Sequence, residues 1–200
     1  MKFHRRARGV PRRIAVFPGS FNPPTVAHFA LAESALAYTD EVVFVLPEAL
    51  PHKDFSGVGF DARLQLLLAA ADHPRFTVAS TSGGLFLEMA RELQPHYSQA
   101  SQHFVCGRDA AERIIGWDYG EPGAVDRMFA LFSLLVAARD GHYEPPPAYA
   151  GSIVSLELPR DFSEVSATEV RRLVAAGGDW RSLIPERIWE QVPELYRVQT

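Results

Sequence analysis

The sequence predicts a doubly wound α/β fold: a mainly parallel, Rossmann-like sheet with helices on both faces and a small helical segment at the C-terminus. Two observations support this prediction. Short apolar runs alternate with longer segments rich in alanine and leucine along most of the chain. The first run ends at Pro18 and Gly19, which predict a turn. Such alternation is typical of parallel strands joined by right-handed crossover helices, which cover both faces of one sheet.

Six apolar runs have the length and composition of buried strands. They are residues 13–17, 41–46, 76–79, 103–106, 134–137 and 153–158. The segments between them predict helices at residues 26–38, 61–71, 85–93 and 109–115. A further helix is expected after Ser166, which forms a capping box with Glu169, and it should end at Gly177. Ligands of such sheets bind at the carboxyl ends of the strands, so functional residues are expected in the loops that follow them.

The composition, with 47% hydrophobic and 22% charged residues, is that of an ordinary globular protein. Residues 13–200 are long enough to form one domain with its own core. Positions 1–13 carry six basic and no acidic residues, so we expect residues 1–12 to be a basic, disordered arm; contact with RNA or an acidic partner is the alternative. The other 14 basic and 24 acidic residues give the rest of the chain a charge of about −10, which argues against a nucleic-acid-binding face.

Several classes of protein are excluded by what the sequence lacks. No stretch approaches the ~18 apolar residues of a membrane span, and no signal-peptide core follows the basic N-terminus. The only cysteine, Cys106, lies in an apolar strand and is expected to be a buried thiol. The histidines lack metal-ligand spacing, so no protein-bound metal is expected. These features predict a cytoplasmic protein, and they leave its oligomeric state open, a homo-oligomer included.

The segment from Pro18 to His28 carries the strongest signal for chemistry. Gly19 allows the backbone to approach a ligand closely. Thr25 and His28 are three residues apart, so they share a face on the first turn of the following helix. The free N–H groups and the dipole of that turn favour phosphate. Two interpretations follow from the spacing: the pair grips phosphate oxygens, or Thr25 is a helix cap and His28 a packed imidazole.

Residues 19–28 resemble the signature of the HxGH nucleotidylyltransferases, which include the nicotinate and nicotinamide mononucleotide adenylyltransferases and phosphopantetheine adenylyltransferase. Residues 165–171 resemble the second signature of that superfamily, Ser-Ser-Thr-x-x-Arg, about 140 residues further on. Residues 46–64 and 107–117 are most similar to the mononucleotide branch. The resemblance covers residues 14–188, nearly the whole chain.

Three residues depart from the pattern of the mononucleotide branch. Thr25 stands where that branch has its first histidine, although the phosphopantetheine enzymes also have threonine there. Ala27 replaces the usual glycine and puts a methyl group where nucleotide and backbone approach. Ala167 replaces the second serine of the later signature. The first two changes imply either a different substrate or a lower activity.

The resemblance implies transfer of AMP from ATP to nicotinate or nicotinamide mononucleotide, with release of pyrophosphate, in NAD biosynthesis. It assigns catalysis to Thr25, His28 and Arg171. It assigns ATP contacts to Gly19, Ser20, Phe21, His28, Gly107, Asp109, Ser166, Thr168 and Arg171. It assigns contacts with the phosphorylated acceptor to Asn22, Lys53 and Trp117. Mg²⁺ is expected to be carried by the ATP phosphates rather than by a protein cage.

Two alternatives stay open. One is another nucleotidylyltransferase of the superfamily, with phosphopantetheine or a small phosphorylated alcohol as its acceptor. The other is a nucleotide-binding module without turnover, an alternative that Ala27 supports.

Overall fold

A computed structural model describes residues 1–48, 57–137, 143–159 and 161–197. The strands within these residues are β1 (Lys2–Arg5), β2 (Arg13–Pro18), β3 (Glu41–Pro47), β4 (Phe76–Thr81), β5 (Ser101–Gly107), β6 (Ser133–Ala137) and β7 (Ile153–Leu156). The α-helices are α1 (Val26–Ala35), α2 (Phe60–Ala70), α3 (Phe86–Leu93), α4 (Arg108–Gly116), α5 (Ala124–Phe129), α6 (Ala167–Ala176) and α7 (Gln191–Tyr196). Short 3₁₀ turns lie at Pro147–Tyr149, Arg181–Leu183 and Glu186–Ile188.

The seven strands form one sheet in the order β1-β4-β3-β2-β5-β6-β7. Strands β2 to β7 pair in parallel, and β1 pairs antiparallel with β4. Without β1, the order is the 3-2-1-4-5-6 order of a doubly wound sheet. The predicted fold class is therefore confirmed. The direction in which strands are added reverses between β2 and β5, and ligands of this fold bind at that point.

Alternate residues of the central strands enter two separate cores, one on each face of the sheet. Val16 of β2 and Val43 of β3 face the core that contains α3, α4 and α5. Phe17 and Phe44, their neighbours in sequence, face the core that contains α1 and α2. Because both faces are covered, β3 is buried along its whole length. The β2 end that carries the predicted site is thereby held rigidly.

The C-terminal elements form a third cluster on the outer side of α2. Leu66 of α2 packs with Val170 of α6, with Ile188 and with Val192 of α7. The predicted small helical segment at the C-terminus is confirmed by α6 and α7. In the part of the chain that the structure describes, no helix is both long and apolar enough to cross a membrane.

Two predicted elements are shorter by more than one residue in the structure. α1 ends at Ala35 rather than at residue 38, because Arg75 donates hydrogen bonds to the carbonyl groups of Leu36, Thr39 and Asp40 just beyond the helix. β7 ends at Leu156 rather than at residue 158.

The prediction of a disordered arm is wrong for the first residues of the chain. β1 adds to the free edge of β4, with Lys2 opposite Ser80 and Phe3 opposite Ala79. The ring of Phe3 packs against that of Tyr97, with 6.1 Å between centroids. The Arg5 guanidinium donates to carbonyl groups at the end of α2, where a cation also complements the helix dipole. The basic residues thus stabilise an edge strand that their charge alone did not predict.

Candidate nucleotide-binding site

The predicted site lies at the carboxyl ends of β2 and β5, where the strand order reverses. β2 ends at Pro18, and residues 19–25, which we call the β2–α1 loop, lead into α1. β5 ends at Gly107 and continues directly into α4. The N-termini of two helices therefore open on one edge of the sheet. Main-chain N–H groups and helix dipoles at such a place favour an anion.

Packing at the start of the β2–α1 loop requires glycine and buries a phenylalanine. The N–H of Gly19 donates to the carbonyl of Val45 at 3.1 Å. A Cβ at Gly19 would lie 2.8 Å from Cζ of Phe21, so no larger residue fits without displacing that ring. Phe21 has a left-handed φ of 44° and is 1% exposed, with its ring against Phe17 and Phe44. The ATP contact predicted for Phe21 can therefore involve only its main chain and not its ring.

Thr25 caps α1 and orients the ring of His28. The N–H of Thr25 donates to Nδ1 of His28 at 2.9 Å, and Oγ1 of Thr25 lies 2.8 Å from the same nitrogen. Because a main-chain N–H can only donate, Nδ1 must carry a lone pair, and a neutral ring then has its proton on Nε2. The rings of Phe17 and Phe21 flank the imidazole, with centroids 6.0 and 5.1 Å away. In this tautomer, Nε2–H is the hydrogen-bond donor of the His28 ring.

This geometry combines the two interpretations that the spacing left open. Thr25 is a helix cap, and it is only 1% exposed. His28 is half-buried. Its contacts with Thr25 involve Nδ1 and fix the tautomer in which Nε2 carries the proton. Direct contact between Thr25 and a phosphate stays a prediction.

Asn22 connects the β2–α1 loop to two distant parts of the chain. Its Oδ1 accepts a hydrogen bond from the buried hydroxyl of Tyr196 at 2.6 Å. Its main-chain carbonyl accepts one from Nη1 of Arg171, also at 2.6 Å. Gly57 packs so closely that a Cβ there would lie 2.2 Å from Nδ2 of Asn22. Asn22 is 3% exposed and anchors the loop; its contact with an acceptor stays a prediction.

The second predicted signature forms the N-terminal turn of α6. Ser166 is the N-cap, and its hydroxyl accepts the N–H of Glu169 at 3.1 Å. The other half of the predicted capping box is wrong, because the Glu169 carboxylate binds Arg172 at 2.5 and 2.8 Å. A charge-assisted pair with that guanidinium one turn away is stronger than a bond to a single N–H.

Arg171 brings this turn to the β2–α1 loop. Besides its bond to Asn22, its Nη2 donates to Oγ1 of Thr168 at 3.3 Å. The side chain is half-buried, and Thr168 is exposed at the helix N-terminus. The two predicted signatures therefore meet in space, as a single phosphate-binding site requires.

Arg63 is a site residue to which the sequence analysis assigned no role. It lies on α2, is 2% exposed, and donates from Nη1 to the carbonyl of Ser20 at 3.1 Å. Burial lowers the pKa of Arg63, but a guanidinium stays charged in any ordinary buffer. The sequence around Arg63 does indicate that it is buried, because Leu66 and Leu67, three and four residues further on, share the apolar face of α2 with it.

The β5 side of the site is more open. Gly107 has an ordinary φ of −81°, and no heavy atom lies within 4 Å of a Cβ built there, so the fold itself does not require glycine. Asp109 is exposed in the first turn of α4. Trp117 follows the other end of α4, about 12 Å along the helix axis from Asp109, and is 61% exposed. Lys53 lies outside the described residues.

The groups around the β2–α1 loop are an imidazole, two guanidinium groups and main-chain N–H donors. Among the described residues, no three histidine, cysteine, aspartate or glutamate side chains are close enough to hold a metal ion. Divalent cations such as Mg²⁺ prefer oxygen ligands, so this set does not fit a resident ion. It fits an anion.

Fold and candidate site together have the features of a nucleotidyltransferase of the α/β class. A family model described as cytidylyltransferase-like matches residues 16–173. The chain belongs to this family of nucleotidyltransferases, and it is an enzyme of that class, as the sequence predicted.

Two relatives and one solved structure show which proteins within the family this chain is similar to. The chain is 30% identical to a "probable nicotinate-nucleotide adenylyltransferase" of Thermus thermophilus, over 92% of this chain and 100% of the relative. It is also 30% identical to the protein of the same name from Saccharopolyspora erythraea, over 93% and 90%. Nicotinic acid mononucleotide adenylyltransferase of Plasmodium falciparum, complexed with NaAD, superposes with a TM-score of 0.65 at 15% identity, covering 92% of this chain and 98% of the other. That structural likeness supports the fold.

Proposed function

We propose that this enzyme transfers AMP from Mg²⁺·ATP to nicotinate mononucleotide and releases pyrophosphate, a step of NAD biosynthesis. Nicotinamide mononucleotide is the alternative acceptor. One observation carries the proposal: the turn that holds His28 and the turn that holds Arg171 meet at Asn22. The names of the 30% identical relatives supply the acceptor.

The reaction is a displacement at the α-phosphorus. An ionised oxygen of the acceptor's phosphate forms the new bond to this phosphorus, while the bond to the oxygen bridging the α- and β-phosphates breaks. The electron pair of the broken bond leaves with pyrophosphate. The attacking oxygen is already an anion, so no protein base or covalent intermediate is needed. The protein must align the three groups and stabilise the developing charge.

The residues of the site divide this work between them. Nε2–H of His28 donates to an oxygen of the α-phosphate, where charge develops. Arg171 and the N–H groups of the turn at Thr168 hold the β- and γ-phosphates, with Ser166 as the cap that shapes this turn. Arg63 adds positive charge beneath the β2–α1 loop. The main chain at Gly19, Ser20 and Gly107 lies along the nucleotide, and Asp109 contacts its adenosine part.

The acceptor contacts rest on the resemblance alone. Lys53 binds the phosphate of the mononucleotide, and Trp117 packs against its pyridine ring. Both lie in segments that resemble the mononucleotide adenylyltransferases rather than other branches of the superfamily. A second acceptor, phosphopantetheine, is favoured by one residue, because its enzymes also have threonine at the position of Thr25.

Pyrophosphate release tests the proposal directly. The enzyme is mixed with Mg²⁺·ATP and, in separate reactions, nicotinate mononucleotide, nicotinamide mononucleotide or phosphopantetheine. A further reaction contains Mg²⁺·CTP and a phosphorylated alcohol. Turnover with a pyridine mononucleotide and formation of the dinucleotide are expected. Turnover only with phosphopantetheine, or only with CTP and a phosphorylated alcohol, would refute the acceptor assignment. ATP binding without turnover on any acceptor would refute the proposed activity.

A further inference from the structure

The last described helix of the chain reaches back into the nucleotide site. Tyr196, at the end of α7, donates its hydroxyl proton to Oδ1 of Asn22 at 2.6 Å, across 174 residues of sequence. The two residues are 9% and 3% exposed. A hydrogen bond this short and this deeply buried is fixed in one geometry. No motif of the sequence predicted it.

Two guanidinium groups lie near the Tyr196 hydroxyl. Burial raises the pKa of Tyr196, against the opposing influence of the charges on Arg171 and Arg63. The hydroxyl is therefore protonated throughout the neutral range, and a protonated hydroxyl can donate to the amide oxygen.

Asn22 transmits this contact to Arg171. The Asn22 side chain is confined by the Tyr196 hydroxyl and by Gly57, where even a single Cβ would lie 2.2 Å from Nδ2. Its main-chain carbonyl is the acceptor for Nη1 of Arg171 at 2.6 Å. A shift of the Asn22 side chain would move this carbonyl, and Arg171 with it.

We propose that Tyr196 is a positioning residue of the nucleotide site: through Asn22 it sets the place of Arg171, and so makes α7 part of the triphosphate-binding machinery. The inference rests on the proposed function in taking Arg171 as a ligand of the phosphates. The competing view is that Tyr196 only packs in the cluster with Ile188 and Val192.

Tyr196→Phe separates the two views, because it keeps the ring and removes only the hydroxyl. Displacement of a group by about 1 Å can cost on the order of 100-fold in rate, so we expect kcat/KM for ATP to fall about 10- to 100-fold. The KM of the acceptor should change much less. The control is Val192→Ala on the same helix, which removes packing from the same cluster. It should lower Tm by a few degrees, about 2–4 °C for each kcal/mol lost, and keep the kinetic constants.

Arg171→Ala completes a double-mutant cycle. If Tyr196 acts through Arg171, Tyr196→Phe should have little further effect on ATP binding once Arg171 is alanine. Equal effects in both backgrounds would overturn the proposal, as would wild-type constants in Tyr196→Phe alone.

The double-mutant cycle can also be measured through ATP binding alone, without catalysis. The rise in Tm that Mg²⁺·ATP produces reports nucleotide binding by the full chain. If no acceptor reacts, the proposed function fails, but the Tyr196 proposal still predicts a smaller ATP-induced rise in Tyr196→Phe than in the wild type or Val192→Ala. An unchanged rise would refute it.

Discussion

Nη1 of Arg171 lies 2.6 Å from the main-chain carbonyl oxygen of Asn22, and this hydrogen bond joins segments that are 149 residues apart in the sequence. Among the described residues, the guanidinium also donates a hydrogen bond to the hydroxyl of Thr168. No carboxylate of the described residues forms an ion pair with Arg171. Its charge is thus held in place by uncharged oxygens and is available to an anion.

Arg171→Lys should not behave as a conservative change. A planar guanidinium can bond Asn22, Thr168 and a phosphate at the same time, whereas an ammonium group is a compact point charge. Loss of one charge-assisted hydrogen bond costs about 1.5–3 kcal/mol, or about 10- to 150-fold in binding. We expect ATP binding to weaken by this factor and transfer to slow, with Tm within about 2 °C of the wild type. Titration with Mg²⁺·ATP and steady-state kinetics measure both.

The adjacent residue supplies a matched control. Arg172 is exposed and paired with Glu169. Arg172→Lys should leave ATP binding and rate unchanged. Equal behaviour of the two variants would place Arg171 on the solvated surface with Arg172.

His28→Ala should lower kcat far more than it weakens ATP binding. Removal of one preorganised donor to developing charge typically costs about 10²–10³-fold in rate. His96, an exposed histidine just after the end of α3 with its ring against Phe3, is the control, and His96→Ala should keep full activity. A His28→Ala protein that melts well below the wild type yet keeps its rate when folded would show that the ring is structural.

The parts of the fold that the sequence predicted are those with strong local patterns. The apolar run at residues 41–46 is the fully buried strand β3, which extends one residue further, to Pro47. Gly177 ends α6 with a left-handed φ of 68°, a conformation that glycine adopts without strain. Thr25 and His28 share a helical face as their spacing required. In each case neighbours in sequence determine the structure.

The parts that the sequence did not predict depend on partners far away along the chain. β1 forms because β4, more than seventy residues on, has an unpaired edge; its own basic residues favour no strand. Arg63 and Tyr196 become site residues only when α2 and α7 pack beside the β2–α1 loop. The neighbours of Arg63 in sequence, Leu66 and Leu67, indicate that it is buried but not which group it bonds, and those of Tyr196 indicate neither.

Cys106 should be nearly inert to alkylation in the folded enzyme. Burial raises the pKa of its thiol to about 12, so at pH 8 the thiolate fraction is only about 10⁻⁴, against about 10⁻¹ for a thiol with the ordinary value of 9.0. Because the thiol pKa is higher in the folded protein than in the unfolded chain, protonated Cys106 contributes to the free energy of unfolding. This contribution is complete below pH 9 and is lost as the pH rises toward 12. Labelling with iodoacetamide should be slow in buffer and fast in urea. Equal rates would mean that the thiol is accessible.

Lys53→Ala should separate the two substrates. If Lys53 binds the phosphate of the mononucleotide, loss of one charge-assisted hydrogen bond raises the KM of that substrate by about 10- to 150-fold and leaves the KM of ATP nearly unchanged. Steady-state kinetics with each substrate varied in turn measure both constants. Lys2→Ala, in β1 at the edge of the sheet, is the control and should change neither. A selective loss of ATP affinity in Lys53→Ala would mean that the two sites are reversed.

Gly57→Ala should damage the nucleotide site although residue 57 contacts no phosphate in the proposed mechanism. Its φ of 130° is a conformation that residues with a Cβ rarely adopt, and the new methyl group would meet Nδ2 of Asn22 at 2.2 Å. Asn22 must then shift, which weakens its bonds to Tyr196 and Arg171. We expect a lower Tm together with a raised KM for ATP. Gly151→Ala has open space and no positive φ, so it should change neither. A Gly57→Ala enzyme with a lower Tm but a wild-type KM for ATP would show that the strain stays local and does not reach Arg171.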